Sequence, residues 1–134
     1  MSLMGIYMKK DEEEVKEKKS FALLVAAHNE EKVISDIIKS LKLMDYPKDK
    51  YDIFVVADNC DDKTAKIAKD NGAIVYERHD LKNQGKGYAM EWMFKKIFSM
   101  DKKYDSIAIF DADNLVSKNF LNAMNKKLCQ GYKV

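Results

Sequence analysis

Apolar residues fall along this chain in two alternating rhythms. Phe21-Ala-Leu-Leu-Val-Ala-Ala27 is an unbroken apolar run, which predicts a strand buried on both faces, as in a parallel sheet. After His28-Asn29-Glu30-Glu31 the rhythm changes, and Val33, Ile34, Ile37, Ile38 and Leu41 recur at helical spacing. Asn29 is the expected N-cap, with two acids in the first turn where the helix dipole favours them. Pro47 is the expected stop. The order then repeats. Ile53 to Ala57 predicts a second strand, ending in Asp58-Asn59-Cys60-Asp61-Asp62, where Asp61 and Asp62 read as caps. A helix from about Lys63 carries Ala65, Ile67 and Ala68 and closes at Asn71-Gly72. Ala73 to Tyr76 predicts a short third strand. Glu77 to Gly87 is polar, with Gly85 and Gly87 free to take positive φ. Tyr88 to Phe98 predicts a helix with Ala89, Met90, Met93, Phe94 and Ile97 on its core face, and Trp92 off that stripe against some other neighbour. Ile107 to Phe110 predicts a fourth strand, running into Asp111-Ala112-Asp113-Asn114. Ser117 is the expected cap of a helix bearing Phe120, Leu121, Met124 and Leu128.

Strand and helix thus alternate four times over short connections, the pattern of a doubly wound α/β domain with a mostly parallel sheet. Lys9 to Lys19 is almost wholly charged and is expected to be a solvated lead-in, so residues 1–20 are set apart from a domain at 21–134. Gly131 to Val134 reads as the opening of a fifth strand, which makes the expected domain half of a larger one. An unfinished sheet has an open edge, and a second copy of the chain is one way to cover it. In such sheets ligands sit at the carboxyl ends of the strands. His28-Asn29-Glu30, Asp58-Asn59 and Asp111-x-Asp113 all fall there and are expected to converge.

Composition narrows the classes. The chain has 134 residues, 46% hydrophobic and 34% charged, with a formal net charge of +2. That is the balance of a globular domain, and its dispersed basic residues give no sign of a nucleic-acid face. Two cysteines are too few for a disulfide framework and favour a reducing, cytoplasmic location. The longest apolar run is far shorter than the roughly 20 residues of a membrane helix.

The chemistry centres on Asp111 and Asp113. In an extended strand, carboxylates at i and i+2 share a face, about 6.6 Å apart at Cα. They repel unless a cation sits between them, and Mg²⁺ is commonly held by one or two carboxylates plus substrate phosphates. Other nucleotide motifs fail on position. Asp80 stands where a P-loop needs glycine ahead of Gly85-Lys86, and Ala27-His28-Asn29-Glu30-Glu31 has none of the glycines of a dinucleotide fingerprint. Cys60 follows an acidic loop without a basic partner, against a catalytic thiolate. His28 and His79 have no partner at ligand spacing and read as structural.

Five stretches in this order resemble glycosyltransferase family 2, with its nucleotide-sugar-binding GT-A fold: Val25-Ala-Ala-His-Asn-Glu30, Pro47, Val55-Val-Ala-Asp-Asn-Cys-Asp-Asp-Lys-Thr64, Asn83-Gln-Gly-Lys-Gly-Tyr-Ala89 and Phe110-Asp-Ala-Asp113. The resemblance implies an inverting transferase, in which an acceptor hydroxyl attacks the anomeric carbon of a nucleotide-diphospho-sugar, with Mg²⁺ or Mn²⁺ assisting. By matching position, Asp58 accepts from the uracil imide, selecting a UDP-sugar. Ala27, Glu30 and Asp111 lie along the nucleotide, Lys86 reaches base or phosphates, and Asp113, with Asp111 beside it, binds the metal. Ala27 stands where the family usually has proline, His28 where it has an aromatic, and Ala57 where it often has a first aspartate. The family's catalytic base and acceptor half are expected beyond Val134, so no catalytic residue is expected in this chain. Members with these motifs are often membrane-associated, which implies the cytoplasmic face of a membrane for a whole protein. Two alternatives stand beside this reading. One is a nucleotide- and metal-binding module without turnover. The other is a nucleotidyltransferase-like enzyme, which wants a basic glycine-rich loop after the first strand where this chain has none.

Overall fold

The first strand sits in the middle of the sheet, and the chain builds outward from it in both directions. A computed structural model describes residues 17–131. Strands β1 (Phe21–Ala27), β2 (Tyr51–Asp58), β3 (Ile74–Arg78) and β4 (Ser106–Asp111) form one sheet in the order β3-β2-β1-β4. Every pairing is parallel. Helices α1 (Ile34–Lys42), α2 (Thr64–Asp70), α3 (Lys86–Phe98) and α4 (Phe120–Cys129) follow the strands in turn. This is the α/β, doubly wound arrangement of the GT-A fold.

Alternation along β1 decides which helix meets which face. Leu23 and Val25 point to the side of Ile34, Ile37, Ile38 and Leu41 of α1, together with Ala68 of α2 and Leu121 of α4. Ala22 and Leu24 point the other way, with Phe54 and Val56, against Ala89, Met90, Met93 and Ile97 of α3. A strand coated on both faces needs apolar side chains at successive positions, which is why β1 reads as a continuous apolar run. Trp92 finds its separate neighbour in Tyr76, edge to face at 6.5 Å between centroids, with the Lys96 ammonium 4.4 Å above its ring. Among the described residues no helix is long and apolar enough to cross a membrane.

Several expected boundaries move. Helix α1 begins at Ile34, not at Asn29, which takes a left-handed φ of +52°. The reason is that Asn29 is used across the strand ends: its Oδ1 accepts from the Asp61 N–H at 2.8 Å, and its N–H donates to Cys60 Sγ. Glu30 and Glu31 therefore precede the helix instead of forming its first turn. Helix α1 ends at Lys42, before Pro47, where the Lys48 ammonium donates to the carbonyls of Lys42 and Met44. Strands β2 and β3 both run past their expected ends, to Asp58 and Arg78. Helix α3 opens at Lys86, with Gly85 alone taking the positive φ, +117°, and Gly87 inside the helix. Ser117 acts ahead of α4, accepting from the Asn119 N–H, while the helix starts at Phe120. The expected fifth strand and most of the charged lead-in fall at 132–134 and 9–16, outside the described residues.

Short loops at the carboxyl ends of β1 and β2 are sewn together by one buried hydroxyl. Thr64 Oγ1 accepts from the Glu30 N–H at 2.9 Å and donates to Asp62 Oδ1 at 2.5 Å. Asp62 also accepts from the Thr64 and Glu31 N–H groups, so it caps α2 as expected, whereas Asp61 contributes only its N–H. Burial works against the Asp62 charge, but these hydrogen bonds outweigh it and hold its carboxyl below the usual range. Thr64→Val leaves the Glu30 N–H without its acceptor and is expected to cost about 1–3 kcal/mol in urea unfolding. Because the folded pKa of Asp62 is depressed, its stabilisation is present above its unfolded pKa of about 3.9 and is lost as pH falls through the folded value. The stability advantage of wild type over Asp62→Asn is therefore expected at pH 7 and should shrink on acidification below about pH 4.

Candidate functional site

The parallel register ends the four strands close to one level. Ala27 lies beside Ala57, Ala26 beside Asp111, and Asp58 beside Arg78. Beyond that line opens a cavity of about 560 Å³. Ala27, Glu30, Asp58, Lys86, Asp111 and Asp113 all line it, along with Gly85 at the start of α3. The volume falls within the usual range for small-molecule sites. A larger groove of about 1110 Å³ lies elsewhere, bordered by Tyr46, Pro47, Lys48, Lys118 and Asn122. It brings together none of these residues, so the smaller cavity is the candidate site.

The carboxylate of Asp58 is buried and held from behind. Arg78 Nη1 donates to Asp58 Oδ1 at 2.7 Å, and both side chains are under a tenth exposed. Arg78 Nη2 donates to the Asn83 carbonyl at 2.6 Å and lies 3.5 Å from Asp80 Oδ2. The same guanidinium thus fixes the strand-end carboxylate and the loop leading to Gly85 and Lys86. Asn59, also at positive φ, braces that loop a second time: its amide donates to the Asp80 carbonyl and accepts from the Asp80 N–H. Arg78 is the functional residue the sequence reading missed. Its expected strand stopped at Tyr76, so nothing placed it beside Asp58. The available signal was a lone arginine two residues past a short strand, level with an acid at the end of the previous one.

The other wall is more open. Strand β4 stops at Asp111, and Asp113 lies in a turn closed by the Asn114 N–H donating to the Asp111 carbonyl. The two acids therefore reach the cavity by a turn, not by the alternation of an extended strand. Lys86 Nζ donates to Asp111 Oδ1, with both side chains about half exposed. Glu30 and Asp113 have no side-chain partner among the described residues. The cavity lining carries the carboxylates of Glu30, Asp58, Asp111 and Asp113 against the single ammonium of Lys86, with Arg78 behind Asp58, so carboxylates outnumber cations at this site. Among the described residues no group of three or more His, Cys, Asp or Glu side chains gathers to hold a metal alone. Asp111 and Asp113 offer hard oxygen ligands to Mg²⁺ or Mn²⁺, but too few for a full shell. Such a pair fits a divalent cation when a bound diphosphate supplies further oxygens.

His28 and Cys60 are tied into the strand ends, with His28 also on the cavity lining. His28 Nδ1 donates to the Asp58 carbonyl at 2.8 Å, tying the ends of β1 and β2. Burial pushes the Cys60 thiol up, and Sγ lies 3.6 Å from the Ala27 carbonyl, so it is no poised thiolate.

Comparison with known proteins places this geometry. Residues 18–134 match the family described as "Glycosyltransferase like family 2". A "Probable glycosyltransferase YdaM" of Bacillus subtilis is 32% identical over 79% of this chain and 26% of its own length. A "Beta-monoglucosyldiacylglycerol synthase" of Nostoc sp. is 33% identical over 75% of this chain and 21% of its own. The chain thus spans about a quarter of the length of these relatives. Among solved structures, residues 1–349 of S. aureus TarS in complex with UDP-GlcNAc superpose with a TM-score of 0.69 at 23% identity, covering 83% of this chain and 31% of that one. The glucosyl-3-phosphoglycerate synthase of Mycobacterium tuberculosis, solved with Mn²⁺, UDP and phosphoglyceric acid, gives 0.67 at 24% identity, covering 87% and 41%. These structural likenesses show the fold, and the sequence match shows the family: this chain belongs to the glycosyltransferase-like family 2.

Proposed function

We propose that residues 21–134 are the donor-binding part of an inverting glycosyltransferase that takes a UDP-linked sugar with Mg²⁺ or Mn²⁺. The observation that carries this reading is the convergence of Ala27, Glu30, Asp58, Lys86, Asp111 and Asp113 on one cavity at the carboxyl ends of the strands. In this proposal Asp58 accepts the imide N–H of uracil with the oxygen that Arg78 leaves free. Ala27 and Glu30 border the nucleoside, and Asp111 and Asp113 take the metal at the diphosphate end. Lys86 adds a positive charge where negative charge grows as the diphosphate departs, the kind of stabilisation that lowers a barrier most. The metal, when bound, neutralises that leaving group as a Lewis acid. TarS and the mycobacterial synthase are solved with UDP-GlcNAc or with UDP and Mn²⁺, and this supports the choice of donor and metal. The acceptor site and general base are assigned to parts of a longer protein outside these residues, so the chain by itself is expected to bind donor without transfer. Two free cysteines support a cytoplasmic setting.

Thermal shift is the direct test. UDP with Mn²⁺ at a hundred times its dissociation constant is expected to add about 2.7 kcal/mol, with GDP adding less. Asp113→Ala is expected to lose the Mn²⁺-dependent part of that gain. No response of the wild type to UDP and Mn²⁺ would sink the reading. For the base end, Arg78→Met leaves the Asp58 charge buried and unpaired, and is expected to cost about 3–5 kcal/mol by urea unfolding. Combining it with Asp58→Asn should recover much of that stability but not UDP binding by calorimetry. Restored binding would remove Asp58 from nucleobase recognition.

A further inference from the structure

The two cations of the site are held very differently. Arg78 is buried and engaged by Asp58, Asn83 and Asp80 at once. Among the described residues Lys86 has one partner, the Asp111 carboxylate, and both members of that pair are about half exposed. Asp111 itself cannot move far, since it is the last residue of β4 and is registered against Ala26 in the middle of the sheet. Lys86 sits on the first residue of α3 and carries its ammonium on a flexible four-carbon stem. If the pair separates, the lysine is the member that moves.

Resting on the donor-site reading above, we propose that Lys86 is an exchangeable counter-ion: it occupies Asp111 when the site is empty and is drawn off by the diphosphate, which frees Asp111 for the metal. The ammonium and a divalent cation compete for the same carboxylate oxygen. A half-exposed ion pair is weak, so the exchange costs little. A diphosphate offers the lysine a second anionic partner and offers the metal its missing oxygens. Metal and nucleotide then help each other beyond direct contact, and by linkage each raises the affinity of the other by the same factor. With Asp111 neutralised, Asp113 is the one open carboxylate of the Asp111–Asp113 pair, too few to retain a metal alone.

The test measures Mn²⁺ binding by electron paramagnetic resonance of free Mn²⁺, with and without saturating UDP. It compares wild type, Lys86→Met and Lys86→Arg, with melting curves to confirm that each is folded. In the wild type, UDP is expected to tighten Mn²⁺ binding by a factor in the usual 5- to 150-fold range of coupled sites. Lys86→Met is expected to bind Mn²⁺ alone about 1.4- to fivefold tighter than wild type, the size that a half-exposed ion pair carries. The enhancement by UDP should fall by about the same factor. Lys86→Arg keeps a cation on Asp111 and should keep the weak binding of metal alone. If UDP binds the wild type but Lys86→Met holds Mn²⁺ alone no more tightly, the exchange is wrong and the donor site stands. If the wild type binds no UDP, both fall together.

Discussion

Everything at the functional end depends on the register of four parallel strands. With Ala27 level with Ala57, and Ala26 level with Asp111, the chain leaves three strands at the same height. Loops that are far apart in sequence must then share one small space. The apolar run of β1 is the origin of this arrangement, because only a strand buried on both faces can be central, with pairs on either side. The strand order turns at β1, and α3 crosses behind the sheet to reach β4. That crossing delivers Gly85 and Lys86 to the cavity from the far edge.

Around the cavity, the contacts that hold the strand ends also hold the residues proposed to bind the donor. Thr64 and Asp62 hold the backbone of Glu30 and Glu31, and His28 ties β1 to β2. Arg78 joins Asp58 to the loop that ends in Lys86. Charge is graded from one end to the other. The Asp58–Arg78 pair is buried, which suits the fixed hydrogen-bond geometry that the proposed nucleobase contact would need. The Lys86–Asp111 pair is half exposed and weak, which suits the proposed entry of a diphosphate and a cation. An excess of carboxylate over cation is unfavourable for a diphosphate alone and favourable for one that arrives with a metal.

Much of this was legible from residues alone, and the misses have physical causes. The four strands, the four helices and their order follow from hydrophobic period, because burial imposes period on the chain wherever an element meets the core. The family resemblance named six cavity residues, and all six line one cavity. Ends of elements were less legible. Asn29 has the composition of an N-cap, but its side chain meets Asp61, more than thirty residues away, and a local pattern carries no record of that partner. The Asp111-x-Asp113 spacing implied an extended pair, whereas the backbone turns at Ala112, since Asn114 closes a hydrogen bond on Asp111.

The sequence by itself determined the class of fold, the central place of Phe21–Ala27, and the kind of chemistry that acids at strand ends can serve. Those depend on periodicity and residue type, which are properties of short stretches. Tertiary structure alone decided the partners. Asp58 meets Arg78 because β2 and β3 pair in one register, and Lys86 meets Asp111 because α3 starts where β4 ends, at the same wall. A charge is defined by its neighbours, and here the neighbours come from strands and helices that only folding brings side by side.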